Sequence, residues 1–125
     1  MAKATKKRFE NPDETRTPPK VKVEILDLGG ATAMRGTFEP GWKWSESLKP
    51  IVGTDTCEVE HVGYVVSGTM VCKMDDGSEI TFNAGDAAYI PPGHDAWVEG
   101  SEPCVFLDFQ GATNYAKPTK AEAAP

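Results

Sequence analysis

Cys57, His61 and His94 are the residues of this chain best suited to chemistry. Its 125 residues include only two histidines and three cysteines. Imidazole nitrogen and thiolate sulfur together suit zinc, iron or copper, and three protein ligands leave a fourth position open for a reacting molecule. Cys57 precedes His61 by four positions, and the carboxylates of Asp55, Glu58 and Glu60 stand beside them in sequence. A plainer assignment exists for each residue: His61 as an interior histidine bonded to a neighbour, His94 as an exposed loop residue, Cys57 as a small buried side chain. Cys72 and Cys104 lie within apolar runs and read as core fillers.

A second group follows Pro40-Gly41. Trp42 and Trp44 flank Lys43, and residues two apart share a face of an extended strand. An inward face would make the two indoles an apolar wall, with Ser47 or Lys49 as its polar handle. Lys49 would then hold an anionic group or form a Schiff base. Otherwise the tryptophans cap the end of the fold and Lys49 is solvated. Arg35 and Asp108 are charges within apolar strand patterns, either paired with each other or facing outward.

The elements that must position these residues read as short strands. Val21, Val23, Ile25 and Leu28 mark the first, and Ala31 to Phe38 the second. Glu60 to Ser67 carries apolar residues on both faces and turns at Gly68 into Thr69 to Met74. Asp75-Asp76-Gly77-Ser78 has the Asp-Gly pair of a tight hairpin. Strands are also expected around Ile80 and Phe82, at Ala87 to Ile90, Ala96 to Val98 and Val105 to Phe109. No stretch shows a convincing helical period. Residues 1–20 combine Lys, Glu, Pro and Thr with one aromatic, Phe9, and are expected to be a disordered tail. Residues 21–111 form the single folded domain, and 112–125 read as a flexible C-terminal tail.

Gly85-Asp86-Ala87-Ala88-Tyr89-Ile90-Pro91-Pro92-Gly93 resembles the second sequence motif of the cupin superfamily, whose glycine is followed by five residues, then Pro, any residue and Gly. The family's later histidine position is Ala96 here and its asparagine position is Gly100. His94 stands two residues before Ala96, hence on the same face of a strand. Counting back from Gly68, His61 occupies the glutamate position of the first motif. Counting forward from Gly41 puts Ser47 and Lys49 at its two histidine positions, with an inserted loop over Pro50 to Cys57; a gapless alternative puts Asp55 and Cys57 there. The resemblance implies an all-β, single-domain jelly-roll β-barrel with a cavity for a metal or small molecule, and a homodimer. It implies a divalent transition metal (zinc, iron, manganese, nickel or copper) as cofactor. The expectation is that Pro91-Pro92-Gly93 turns the His94 ring toward His61 across one hollow.

Composition narrows the function. Net charge is −6, yet residues 1–20 carry +3, so the rest of the chain carries −9. An acidic body is a poor partner for nucleic acid. No apolar run approaches the ~20 residues of a membrane span. Few cysteines in odd number point to a reducing cytoplasm. The reading is a metal-dependent enzyme acting on a small, anionic organic molecule. Its alternatives are a metal-free binding barrel using Trp42, Trp44, Ser47 and Lys49, or a structural, dimerising module.

Overall fold

A computed structural model describes residues 3–110 of the chain. Nine strands run in order: β1 (Glu14–Arg16), β2 (Val21–Asp27), β3 (Thr32–Phe38), β4 (His61–Ser67), β5 (Thr69–Met74), β6 (Glu79–Asn83), β7 (Ala87–Ile90), β8 (His94–Glu99) and β9 (Cys104–Asp108). They form a six-stranded sheet in the order β1-β2-β3-β9-β4-β7 and a three-stranded sheet in the order β6-β5-β8. Alternation dictates the arrangement. In β9, Cys104, Phe106 and Asp108 are buried while Val105 and Leu107 are less so; in β8, His94, Ala96 and Val98 are the buried set. The inner faces close over one core containing Val23, Met34, Val65 and Phe106 from the larger sheet and Met70, Cys72, Phe82 and Val98 from the smaller.

The expected all-β fold is present, but the sheets do not close into a barrel. They pack as a sandwich. Beyond the named strands, the pairing among described residues comprises the isolated bridges Lys43↔Trp97 and Cys57↔His94, both reaching β8. The sequence also places the start of the fold at Val21, whereas β1 already pairs with β2 from Glu14↔Ile25 to Arg16↔Val23. Polar composition concealed this edge strand, because neither of its faces is buried. The segment before it is held by Phe9 stacked under Arg35 at 5.1 Å and by Lys7 on Asp13 at 2.9 Å. Residues 111–125, including the C-terminal tail, lie outside the described residues.

Two one-turn helices, α1 (Trp44–Ser47) and α2 (Lys49–Val52), lie between β3 and β4, where no helical period was expected. Their signal is Trp44-Leu48-Val52, apolar at intervals of four and buried at all three positions. Pro50 sits in the first turn of α2, where its missing N–H costs nothing, and Gly53 at φ 83° ends it.

Candidate metal centre

Three backbone devices bring Cys57, His61 and His94 together. His61 opens β4 on its inward face, and Pro91-Pro92-Gly93 hands the chain from β7 to β8 so that His94 opens that strand, also inward. Gly93 adopts φ 91°, a conformation costly for any residue with a Cβ. Cys57 is then tied to His94 by main-chain bonds: its N–H donates to the His94 carbonyl at 2.7 Å, and the Gly93 N–H donates to the Cys57 carbonyl at 2.8 Å. The thiol and both rings lie at one end of the core, 3%, 5% and 3% exposed respectively.

One ligand atom from each of the three falls within 4.8 Å of the other two. Cys57 Sγ is 3.7 Å from His61 Nε2, and the two imidazole centroids are 5.3 Å apart. Tetrahedral coordination with Zn–S of about 2.3 Å and Zn–N of about 2.0–2.1 Å requires a sulfur–nitrogen separation near 3.6 Å. The Cys57–His61 pair therefore already stands at a coordinating separation, and His94 offers its ligand atom within 4.8 Å of both. Zinc, iron or copper suit this donor set better than manganese, because sulfur is a soft ligand.

Orientation of the rings supports the same fit. His94 Nδ1 lies 2.7 Å from the Pro91 carbonyl oxygen, which can only accept, so this nitrogen carries the proton and Nε2 is left as the ligand atom. His61 Nδ1 is bonded to the Asp108 carboxylate, and Nε2 is again the atom turned toward Cys57. Outer acceptors of this kind fix tautomer and ring angle at metal-binding histidines. Asp108 is fully buried, and its second carboxylate oxygen accepts from the Gln110 N–H at 2.9 Å. Gly63, opposite Asp108 on β4, makes the arrangement possible: a Cβ there would collide with the Leu107 carbonyl oxygen and press on the Phe106 ring.

Burial sets the charge states. It pulls the His94 imidazolium down to a pKa of about 4, against the weaker opposing effect of the Pro91 carbonyl, so the ring is neutral near pH 7. It pushes the Cys57 thiol up to about 12, and Cys72 and Cys104 to about 11. None of the three is a spontaneous nucleophile; a thiolate at Cys57 calls for a cation beside it. All three cysteines are free and buried, and Cys72 and Cys104 are core fillers as expected.

The centre opens into an apolar cavity between the sheets. Its volume is about 30 Å³. It is thus narrow rather than roomy. Met34, Phe38, Trp42, Trp44, Phe82 and Ala96 form much of the wall, with His61 and His94 as its ligand-bearing end. Extended backbone at Lys43 puts both indoles on the cavity side, as two-residue spacing predicts. Trp42 packs edge-on to Phe38 at 4.6 Å, and its buried indole N–H has no hydrogen-bond partner among the described residues. Such an orphan costs about 1–3 kcal/mol, so it calls for an explanation.

Other expected residues are elsewhere. Ser47 is buried, but its hydroxyl donates to the Pro19 carbonyl at 2.6 Å and does not line the cavity. Lys49 is 44% exposed and lies 3.6 Å from Asp55. The reason is α1: coiling the chain after Trp44 takes both positions off the Trp44-Leu48-Val52 stripe. Asp55, Glu58 and Glu60 do not join the cluster; Glu58 accepts from Thr56, and Glu60 from Tyr89 and Gln110. Arg35 and Asp108 do not pair; Arg35 binds Glu24 at 2.9 Å and Glu10 at 3.2 Å. Asp108 is the residue sequence reading missed, although its phase with Cys104 and Phe106 marks it as inward.

Residues 52–110, just under half of the chain, match the family model described as Cupin domain, which supports the cupin superfamily. No curated protein matches the sequence. Among solved structures, a protein of unknown function from Rhizobium leguminosarum bv. viciae aligns with TM-score 0.61 and 20% identity, over 87% of this chain and 98% of its own. KdgF from Halomonas sp. aligns with TM-score 0.55 and 21% identity, over 78% and 87%. A cupin-like protein from Thermotoga maritima gives 0.52 and 17%, over 78% and 72%. At these identities the likeness shows the fold alone.

Proposed function

We propose that this chain is a small metal-dependent enzyme in which Cys57, His61 and His94 hold one divalent transition metal at the inner end of the cavity. The observation that carries this reading is the convergence of three ligand atoms within 4.8 Å, with the outer nitrogen of each imidazole already committed to an acceptor. The bound ion would supply Lewis-acid or redox chemistry at its open position. The chain's own part is to hold both rings by Asp108 and Pro91, keep His94 unprotonated, and exclude bulk water with an apolar wall. The substrate is a small organic molecule, since the cavity is narrow. Among the described residues no Lys or Arg lines it, so the anionic charge expected of that molecule has no side-chain counter-ion among them.

The test is metal analysis of untagged protein. Wild type and Cys72→Ala are expected to hold stoichiometric metal, and His61→Ala to lose at least 90% of it, on the order of the affinity lost with a direct ligand. Metal-free wild type under reducing, metal-replete conditions would instead support the second reading, a metal-free binding module. Ala96 favours that reading, because it lines the cavity where the family motif has a histidine.

The assembly we propose is a homodimer. Val62, Tyr64 and Val66 on the outward face of β4 are 43–47% exposed, and Tyr89 on the adjoining β7 is 59% exposed. An apolar strip of this kind supports an interface with a second copy. Tyr64→Lys is expected to give monomers in sedimentation, and a monomeric wild type would end the proposal. Among the described residues no helix is long and apolar enough to cross a membrane. We place the protein in the cytoplasm on its three free thiols.

A further inference from the structure

We infer that residues 41–53 form a lid over the cavity, hinged at Gly41 and Gly53, and that a molecule reaches the cavity when this segment swings outward. The inference deepens the reading above by naming how the site is entered. It rests on the cavity being the ligand site, but not on a metal being there.

The need for a moving part comes from size. A cavity of about 30 Å³ has room for about two waters, and His61 and His94 in its wall are only 5% and 3% exposed. A small organic molecule therefore neither enters nor fits in the closed arrangement. Which part moves follows from how the wall is built. Every lining residue except Trp42 and Trp44 belongs to one of the strands β3 to β9, each held in a ladder of paired residues. The two tryptophans ride instead on the segment that carries α1 and α2, which is tied to the body by separate bonds. The Val98 N–H donates to the Trp42 carbonyl at 3.0 Å and the Ser45 N–H to Asp95 at 3.1 Å. The Ser47 hydroxyl donates to the Pro19 carbonyl at 2.6 Å, and Lys43 lies over the Trp97 ring at 5.4 Å. Left-handed glycines bracket the segment, Gly41 at φ 88° and Gly53 at φ 83°, and glycine crosses between backbone regions at least cost. Between them α1 packs on α2, so the two turn as one unit. Closure also leaves the Trp42 N–H buried and unpaired among the described residues; its hydration on opening offsets part of the apolar burial lost.

The test measures entry into the metal-free full chain. Ala96→Cys and, separately, Met70→Cys each put a thiol into the cavity wall on a strand of the smaller sheet, outside the lid. Iodoacetamide, itself a small organic molecule, alkylates that thiol when the cavity is open. Peptide masses separate this product from that of Cys104, a thiol 0% exposed in β9 that reports unfolding of the sheets. With each rate referred to that of the unfolded chain, the introduced thiol is expected to react at least about tenfold faster than Cys104. Ser47→Ala removes one tether and should speed it about fivefold further, and Lys43→Ala about two- to fivefold, with the Cys104 rate unchanged in both. Equal rates at the introduced thiol and Cys104 in both cysteine variants would overturn the inference, since entry would then require the sheets to unfold. So would tether variants that leave the introduced thiol's rate unchanged, or that speed both thiols alike. Wild type found free of metal in the analysis above would end the metal reading and leave the lid standing; equal thiol rates would end the lid and leave the metal reading standing.

Discussion

The two ends of the cavity are equally buried and differently finished. At the Cys57, His61 and His94 end, both imidazole Nδ1 atoms have acceptors supplied by the chain, Asp108 for one ring and the Pro91 carbonyl for the other. On the tryptophan wall, Trp42 lies at 2% exposure with its N–H unanswered. At one end both outer ring nitrogens are fixed by acceptors of the chain, as outer partners do at metal-binding histidines. The other leaves one donor, the Trp42 N–H, unpaired among the described residues. Burial alone does not distinguish these roles; the destination of each hydrogen bond does.

The cysteines repeat the contrast. Cys57, Cys72 and Cys104 are all buried, and burial raises all three thiols to about 11 or 12. Only Cys57 has a ring nitrogen within reach. Its neighbours, not its burial, make it a candidate ligand.

The largest effect that would sharpen the comparison is pH-dependent. In metal-free protein the folded state keeps His94 neutral down to a pKa of about 4, whereas an unfolded histidine takes up a proton near 6.5. The unfolded state therefore binds more protons between these values, and stability falls as pH drops from 6.5 to 4. The loss is on the order of 3 kcal/mol. Denaturant unfolding across that window checks it, and His94→Gln should flatten the slope. A smaller effect is expected at the carboxylate behind His61. Asp108→Asn should weaken metal affinity about 10–100-fold without unfolding the protein, as loss of an outer partner does; competition with a chelator measures it. An unchanged affinity would reduce Asp108 to a packing residue. The smallest effect belongs to Lys49. Lying outside the cavity with an exposed ion pair, it should change stability by less than about 0.5 kcal/mol when replaced by Ala. Denaturant unfolding of Lys49→Ala beside wild type checks it.

Much of this was legible in the sequence. Alternating Ala87–Ile90 and Val105–Phe109, the Asp76-Gly77 turn, and the glycine-to-Pro-Gly spacing after Gly85 led to strands that the structure contains. His94 and Ala96 share an inward face, as their spacing predicts. Trp42 and Trp44 do so as well, because the backbone stays extended through Lys43. What failed did so for local reasons. Ser47 and Lys49 came from counting motif positions forward from Gly41, and there the chain coils on the Trp44-Leu48-Val52 stripe. The strand at Glu14–Arg16 buries no apolar face, so only its pairing with β2 reveals it. Asp108 was undervalued because a charge at the end of an apolar strand reads as a surface residue until a partner is known. That partner, His61, lies 47 positions away in sequence, and no local pattern connects the two.

The account turns on sulfur and two imidazole nitrogens binding one ion. Cobalt(II) titrated into metal-free protein reports this directly, since a cobalt–thiolate bond gives an intense near-ultraviolet charge-transfer band. Wild type is predicted to show that band, saturating at one cobalt per chain, with Cys57→Ser losing it while retaining the weaker visible absorption of a site held by His61 and His94. A wild-type protein that binds cobalt without the thiolate band, or an identical spectrum in Cys57→Ser, would contradict it.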